Sequence, residues 1–240
     1  MIETEGGRER ARRLELLRGS DVYLVTEESL SAGRRSEEIV EAALEAGVRV
    51  VQVREKDGSA RRALEIARAV RRLTSRYDAL LIVNDRIDIA VAAEADGVHL
   101  GQSDLPMADA RRLLGGAALI GLSITDAEQL DAPDTALADC LGVGAIFPTG
   151  SKADATLTGL ALLAATRAAT AGSRAPIVAI GGITAENAGR AVLAGADLVA
   201  VISAITSAPD PGRAAAAILE AVREAAPTGR SSQRHAGAAR

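Results

Sequence analysis

The sequence predicts a single α/β domain folded as a (β/α)8 barrel. Three observations carry this. Eight short runs rich in Val, Ile and Leu alternate with helix-patterned segments, spaced by ~20 to 30 residues as repeated strand-helix units are. The runs lack polar alternation, as strands of a parallel sheet covered on both faces require. The chain has 240 residues, close to the ~250 of one such barrel. A doubly wound sheet is the alternative, but no G-x-G-x-x-G follows the first run.

The clearest unit lies at Leu80 to Pro106, LLIVNDRIDIAVAAEADGVHLGQSDLP. Leu80 to Val83 is a continuous apolar run that breaks at Asn84-Asp85. Ile87, Ile89, Ala90, Val91 and Ala93 make a short apolar helix, and Gly97 marks the return into Val98-His99-Leu100. That second run ends in Gly101-Gln102-Ser103-Asp104. Two consecutive parallel strands therefore finish in polar residues at one end of the sheet, which puts Asp85 and Asp104 side by side. Adjacent carboxylates beside an Asn suit a hard cation such as Mg2+. The competing reading makes each aspartate the cap of the helix that follows it.

The other elements follow in order. Residues 1–20 form an N-terminal extension in which Leu14, Leu16 and Leu17 sit among charges, a helix that plugs or flanks a core. Strands are expected at Val22–Val25, Val48–Val53, Leu119–Ile124, Cys140–Phe147, Ile177–Ile180 and Leu198–Ile202. Helices are expected from Ser36, an N-cap, to Ala46, stopped by Gly47; over Ser59–Arg76, Met107–Leu114 and Leu157–Ala169; from Asp126; over Ala185–Leu193 with Thr184 as cap; and over Pro211–Ala225. The barrel domain spans 21–226. From Pro227 to Arg240 the composition turns small, polar and Arg-containing, which reads as a disordered tail, and His235 within it has no role.

Composition narrows the function. Aromatics are 1% and net charge is −4, so neither base stacking nor a basic footprint supports nucleic-acid binding. No apolar run approaches the ~20 residues of a membrane span. One cysteine, Cys140, excludes an internal disulfide or a Cys-rich zinc site. A soluble cytoplasmic enzyme is expected.

Barrels place their chemistry at the C-terminal ends of the strands. The second strand delivers Gln52, Arg54 and Lys56, which share one face of extended chain. Cations carried into a barrel mouth call for an anion, and a diphosphate suits them; the alternative pairs Arg54 with an acid. The fifth strand ends in Ser123 and Thr125. The sixth leads to Thr149, Ser151 and Lys152, a cradle with two hydroxyls and a cation, or an ordinary Pro-Thr-Gly turn. The seventh and eighth end in Gly181-Gly182 and Ser203-Ala204, where barrels commonly bind phosphate through backbone N–H groups. His99 reads as a packed residue rather than a catalyst. Two anion sites in one mouth point to a transferase joining two phosphorylated molecules, with diphosphate leaving. Few side chains look like a general base, so departure assisted by charge is expected over deprotonation.

Taken together, VQVREK (51–56), IVNDRID (82–88), GVHLGQSDL (97–105), IGLS (120–123), FPTGSK (147–152), AIGGI (179–183) and VAVISAI (199–205) resemble the thiamine-phosphate synthase family over about Val22 to Ile205. The resemblance implies a barrel that joins aminopyrimidine-methyl diphosphate to thiazole phosphate, with loss of diphosphate before the thiazole nitrogen attacks a pyrimidine carbocation. It implies Mg2+ on Asp85 and Asp104, and the pyrimidine diphosphate on Gln52, Arg54, Lys56, Asn84 and Lys152. It places Ser123 by the pyrimidine and the departing group, and Thr149, Ser151, Gly182, Ile202 and Ser203 around the thiazole phosphate. Arg54, Lys56, Ser123 and Lys152 carry the catalysis in this reading. Family members are often dimeric, and a homodimer is compatible with the sequence. The chain departs from the family pattern at Ser151 (usually Thr), Thr125 (commonly His) and Gly144-Ala145 (usually Gly-Pro). A related thiazole tautomerase, a barrel that binds phosphorylated ligand without turnover, and an unrelated phosphate-site isomerase are the rivals.

Overall fold

The computed structural model describes residues 5–56, 58–150 and 156–226. Strands β1 Val22–Thr26, β2 Val50–Val53, β3 Leu80–Asn84, β4 Gly97–Leu100, β5 Leu119–Ile124, β6 Cys140–Val143, β7 Ile177–Ile180 and β8 Leu198–Val201 pair in sequence order into a closed barrel. Every pairing is parallel, and β8 closes on β1 with Val22 opposite Val199. Helices α1 Glu5–Gly19, α2 Ser36–Glu45, α3 Ala60–Arg76, α4 Ile87–Ala92, α5 Met107–Leu114, α6 Pro133–Leu137, α7 Gly159–Ala169, α8 Ala188–Leu193, α9 Ser203–Thr206 and α10 Pro211–Ala225 complete the chain. No described helix is long and apolar enough to cross a membrane.

The period of two along each strand divides the apolar residues into two cores. Val22, Leu24, Val51, Val53, Leu81 and Val83 point outward into the layer shared with the helices. Tyr23, Val25, Val50, Leu80, Ile82, Leu119, Cys140, Val178, Leu198 and Ala200 pack inside the barrel. Moving up the inner face, apolar side chains give way to Gln52 and Arg54 on β2 and its exit, Asn84 on β3, His99 on β4 and Ser123 on β5. The same alternation that fills the floor with hydrocarbon therefore delivers polar groups to the mouth.

Helix α1 seals the floor. Leu17 is 1% exposed and belongs to the inner core, with Leu14 and Leu16 packed beside it. Arg10 binds Asp139 at 2.9 and 2.5 Å, and Arg13 lies 3.2 Å from Asp96. Each of those buried aspartates also takes a second arginine and a strand N–H: Arg111 and Ile120 for Asp139, Arg71 and Leu81 for Asp96. Buried carboxylates need such full pairing, so α1 is clamped as well as packed.

Several boundaries differ from the sequence expectation. β6 ends at Val143, not Phe147; the following residues are held by single bonds, Ile146 N–H to the Ile180 carbonyl and Phe147 N–H to that of Gly181. Arg35, not Ser36, occupies the N-cap position of α2. After β5, Asp126 and Gln129 form a capping box for a 3-10 turn at Ala127–Asp131, and Pro133 then starts the short α6. α8 starts at Ala188 rather than Ala185, because the Asn187 side chain takes the Thr184 N–H and reaches the Gly182 carbonyl; such local bonds compete with helix. Ser203 opens the single turn α9 rather than closing β8.

Candidate active site

A cavity of about 560 Å³ opens at the C-terminal mouth of the barrel. Gln52, Arg54, Lys56, Asn84, Asp85, Asp104, Ser123, Thr149, Gly182, Ile202 and Ser203 all line it. Ser151 and Lys152 lie outside the described residues. Gln102 is absent from the described lining; its amide donates instead to the Ser123 carbonyl at 2.7 Å.

The acidic side comes from the exits of β3 and β4. Asp85 has φ 59, a left-handed conformation that Asp and Asn tolerate better than most residues. Its N–H donates to the His99 carbonyl at 2.9 Å, tying the two exits together. Neither aspartate caps a helix. Arg86 and Pro106 hold the N-cap positions of α4 and α5, and Asp104 accepts the Gly101 N–H at 2.6 Å. Burial and then the neighbouring Asp104 push the Asp85 carboxyl up to about 6, against the pull of Lys56 and Arg54. Two carboxylates that repel one another, aimed into a polar cavity, are the donor set a hard cation relieves. Among the described residues no third His, Cys, Asp or Glu joins them. The carboxylate pair itself fits Mg2+, which takes one or two carboxylates and completes its shell with water and substrate phosphate.

The basic side comes from β2. Arg54 leaves the strand with its N–H bonded to the Thr26 carbonyl at 3.1 Å. Its guanidinium pairs with Glu27, both side chains 10% exposed. The pairing with an acid and the position on the cavity wall therefore hold together. Lower on the same face, Gln52 donates to the Tyr23 hydroxyl at 2.9 Å, and burial raises the Tyr23 phenol well above its ordinary value.

His99 is packed, as its sequence context suggests, and it also reaches the cavity. One ring nitrogen, Nε2, lies 3.0 Å from the Ser123 hydroxyl, and the other, Nδ1, is buried without a partner among the described residues. Burial lowers its pKa to about 4, so the ring is neutral at ordinary pH. A Cβ on Gly121 would meet Nδ1 at 2.4 Å, and one on Gly142 would meet Cε1 at 2.8 Å. Glycine inside a strand marks such a close approach, and this was the available sequence signal for the imidazole slot. Glu27 had no comparable signal, since its partner stands 27 residues away.

The far wall is the glycine turn after β7. Gly182 has φ +64, and a Cβ there would meet the Pro148 carbonyl at 2.4 Å. The turn is braced by Asn187, whose amide accepts from Thr184 N–H at 2.9 Å and donates to the Gly182 carbonyl at 2.8 Å.

A barrel whose mouth sets a carboxylate pair against cations on one side and a glycine turn on the other belongs to the class of barrel enzymes that handle anionic substrates. The sequence profile of the thiamine monophosphate synthase (TMP-TENI) family matches residues 22–205, and the chain belongs to that family. It is 52% identical over 205 residues to the thiamine-phosphate synthase of Haloarcula marismortui, covering 85% of this chain and 97% of that one. It is 47% identical over 206 residues to the thiamine-phosphate synthase of Moorella thermoacetica, covering 85% and 97%. The solved structure of thiamine phosphate pyrophosphorylase from Pyrococcus furiosus superposes with a TM-score of 0.77 at 37% identity, covering 87% of this chain and 98% of that one. The activity is that of a thiamine-phosphate synthase, a transferase.

Proposed function

We propose that the mouth divides between two phosphorylated substrates and that Asp85 and Asp104 hold Mg2+ between them. The observation that carries this reading is the arrangement of the cavity: a cationic wall, a carboxylate pair and a glycine turn face one another across about 560 Å³. In this assignment Gln52, Arg54, Lys56 and Asn84 receive the diphosphate of the aminopyrimidine, together with Lys152. Gly182, Ser203, Thr149 and Ile202, with Ser151, receive the thiazole phosphate. Bound Mg2+ supplies charge neutralisation for a diphosphate group.

The side chains of the protein then have three tasks. Arg54 and Lys56 meet the negative charge that builds on a departing diphosphate, and they cost little reorganisation because Arg54 is already fixed. Ser123, hydrogen-bonded to a neutral His99, offers a directed hydroxyl beside the pyrimidine. The glycine turn holds the second substrate so that its nitrogen faces the carbon that loses diphosphate. An imidazole with a pKa of about 4 is a weak base, in keeping with a dissociative reaction that removes no proton before bond breaking. The buried thiol of Cys140 is compatible with a cytoplasmic setting.

Purified protein mixed with both substrates, with and without Mg2+, tests the reading. Diphosphate release that needs Mg2+ and yields thiamine phosphate is the expected result. Release that survives chelation would remove Asp85 and Asp104 from the metal role. In a further variant, Asp104→Ala should end Mg2+-dependent turnover yet leave thiazole phosphate binding intact; equal loss of both would mean the division of the mouth is wrong.

A further inference from the structure

We propose that Glu27 is a positioning residue for the transfer: its carboxylate holds the Arg54 guanidinium in the orientation that meets the diphosphate. The proposal rests on the reading of Arg54 as a diphosphate contact. Glu27 follows the last residue of β1, Thr26, which pairs in register with Val53 of β2. The two chain exits leave the barrel side by side, and Arg54 N–H closes on the Thr26 carbonyl. Glu27 and Arg54 are each 8% exposed and form an ion pair. Arg54 lines the cavity, while Glu27 is not among its described lining residues. The carboxylate therefore reaches the cavity wall through the guanidinium it pairs with.

The segment that presents Glu27 is itself held. Glu28 N–H donates to the Glu55 carboxylate at 3.3 Å, and the Glu28 carboxylate takes two bonds from Arg62, at 2.9 and 3.0 Å. The support thus runs from α3 through Glu28 to Glu27 and on to Arg54. An arginine with a long flexible stem makes a poor fixed donor alone; a buried carboxylate paired with its guanidinium removes much of that freedom. A purely structural ion pair would need no cavity-facing member.

Calorimetry of inorganic diphosphate binding in the presence of Mg2+ tests this on the full chain, using wild type, Glu27→Gln, Arg54→Gln and the double variant. The expected result is that Glu27→Gln weakens diphosphate binding roughly 10- to 100-fold, as loss of a supporting group does at comparable sites. In the Arg54→Gln background it should have no further effect, and the KM for thiazole phosphate should stay unchanged. Unchanged or tighter diphosphate binding in Glu27→Gln overturns the proposal, as does a loss equal in both backgrounds. If Arg54→Gln itself leaves diphosphate binding intact, the reading of Arg54 fails first and the role of Glu27 fails with it. Should Glu27→Gln not fold, Glu27→Asp keeps the charge, shortens the reach and carries the same comparison.

Discussion

Replacing Asp85 by Asn should abolish turnover and yet make the metal-free protein more stable. The carboxyl is raised to about 6 by burial and by Asp104, so the fold binds its proton more tightly than the unfolded chain does. Stability from this group is fully present below the ordinary aspartate value near ~3.9, and is lost as pH rises through about 6. A tenfold change in proton affinity is worth about 1.4 kcal/mol, which bounds the cost of the ionised form at about 3 kcal/mol; solvent at the cavity mouth reduces this to about 1 kcal/mol. Asn removes the charge, can donate to Asp104, and accepts the left-handed backbone at φ 59. In EDTA at pH 7.5 the variant should melt roughly 2–4 °C above wild type, and the gap should close near pH 4. Mg2+ should raise the wild-type melting temperature and leave the variant unmoved. Thermal melts across pH, with and without Mg2+, read all of this. A variant that melts below wild type in EDTA, or a gap that does not change with pH, would refute the argument.

Other outcomes follow from the same geometry. Leu17→Ala removes a fully buried plug from the barrel floor and should cost about 3 kcal/mol, a fall of roughly 6–12 °C in melting temperature, with little change in kcat at 25 °C. Gly182→Ala would drive a Cβ into the Pro148 carbonyl at positive φ; kcat/KM for the thiazole phosphate should fall on the order of a hundredfold, while inorganic diphosphate binding measured by calorimetry holds. Gly121→Ala would displace the His99 ring from its slot, costing about 1–3 kcal/mol in denaturant unfolding and lowering kcat through the lost bond to Ser123. Because His99 is held neutral with a pKa of about 4, the kcat profile should show no imidazole inflection between about pH 5.5 and 8; one in that range would place the ring in a wetter setting than the barrel interior.

Asp85 reaches the mouth by its place at the end of a strand, whereas Glu27 matters through a contact with the neighbouring strand's exit. Local pattern was enough for the barrel. Eight doubly buried runs, each ending in polar residues, admit few closed arrangements, and their order along the chain became the order around the sheet. It was also enough to bring Gln52, Arg54, Lys56, Asn84, Asp85, Asp104 and Ser123 to one mouth, because parallel strands all end on the same side. Boundaries were less legible where a side chain competes with the backbone, as Asn187 does ahead of α8, or where strand pairing thins to single bonds, as after Val143.

What only the tertiary structure decided is which groups meet across strands. The sequence offered Asp85 and Asp104 either as helix caps or as a facing pair; the left-handed turn at Asp85 and the Gly101 contact of Asp104 removed the capping role. It likewise left Arg54 either paired with an acid or turned to an anion, and the fold gives it the pair while keeping it at the cavity wall. The partners Glu27, Tyr23 and Asn187, and the slot that Gly121 and Gly142 leave for His99, depend on the stagger between neighbouring strands and on the loops above them. Periodicity along one strand says which way a side chain points. The relative height of the next strand, which decides what it touches, arises only when the barrel closes.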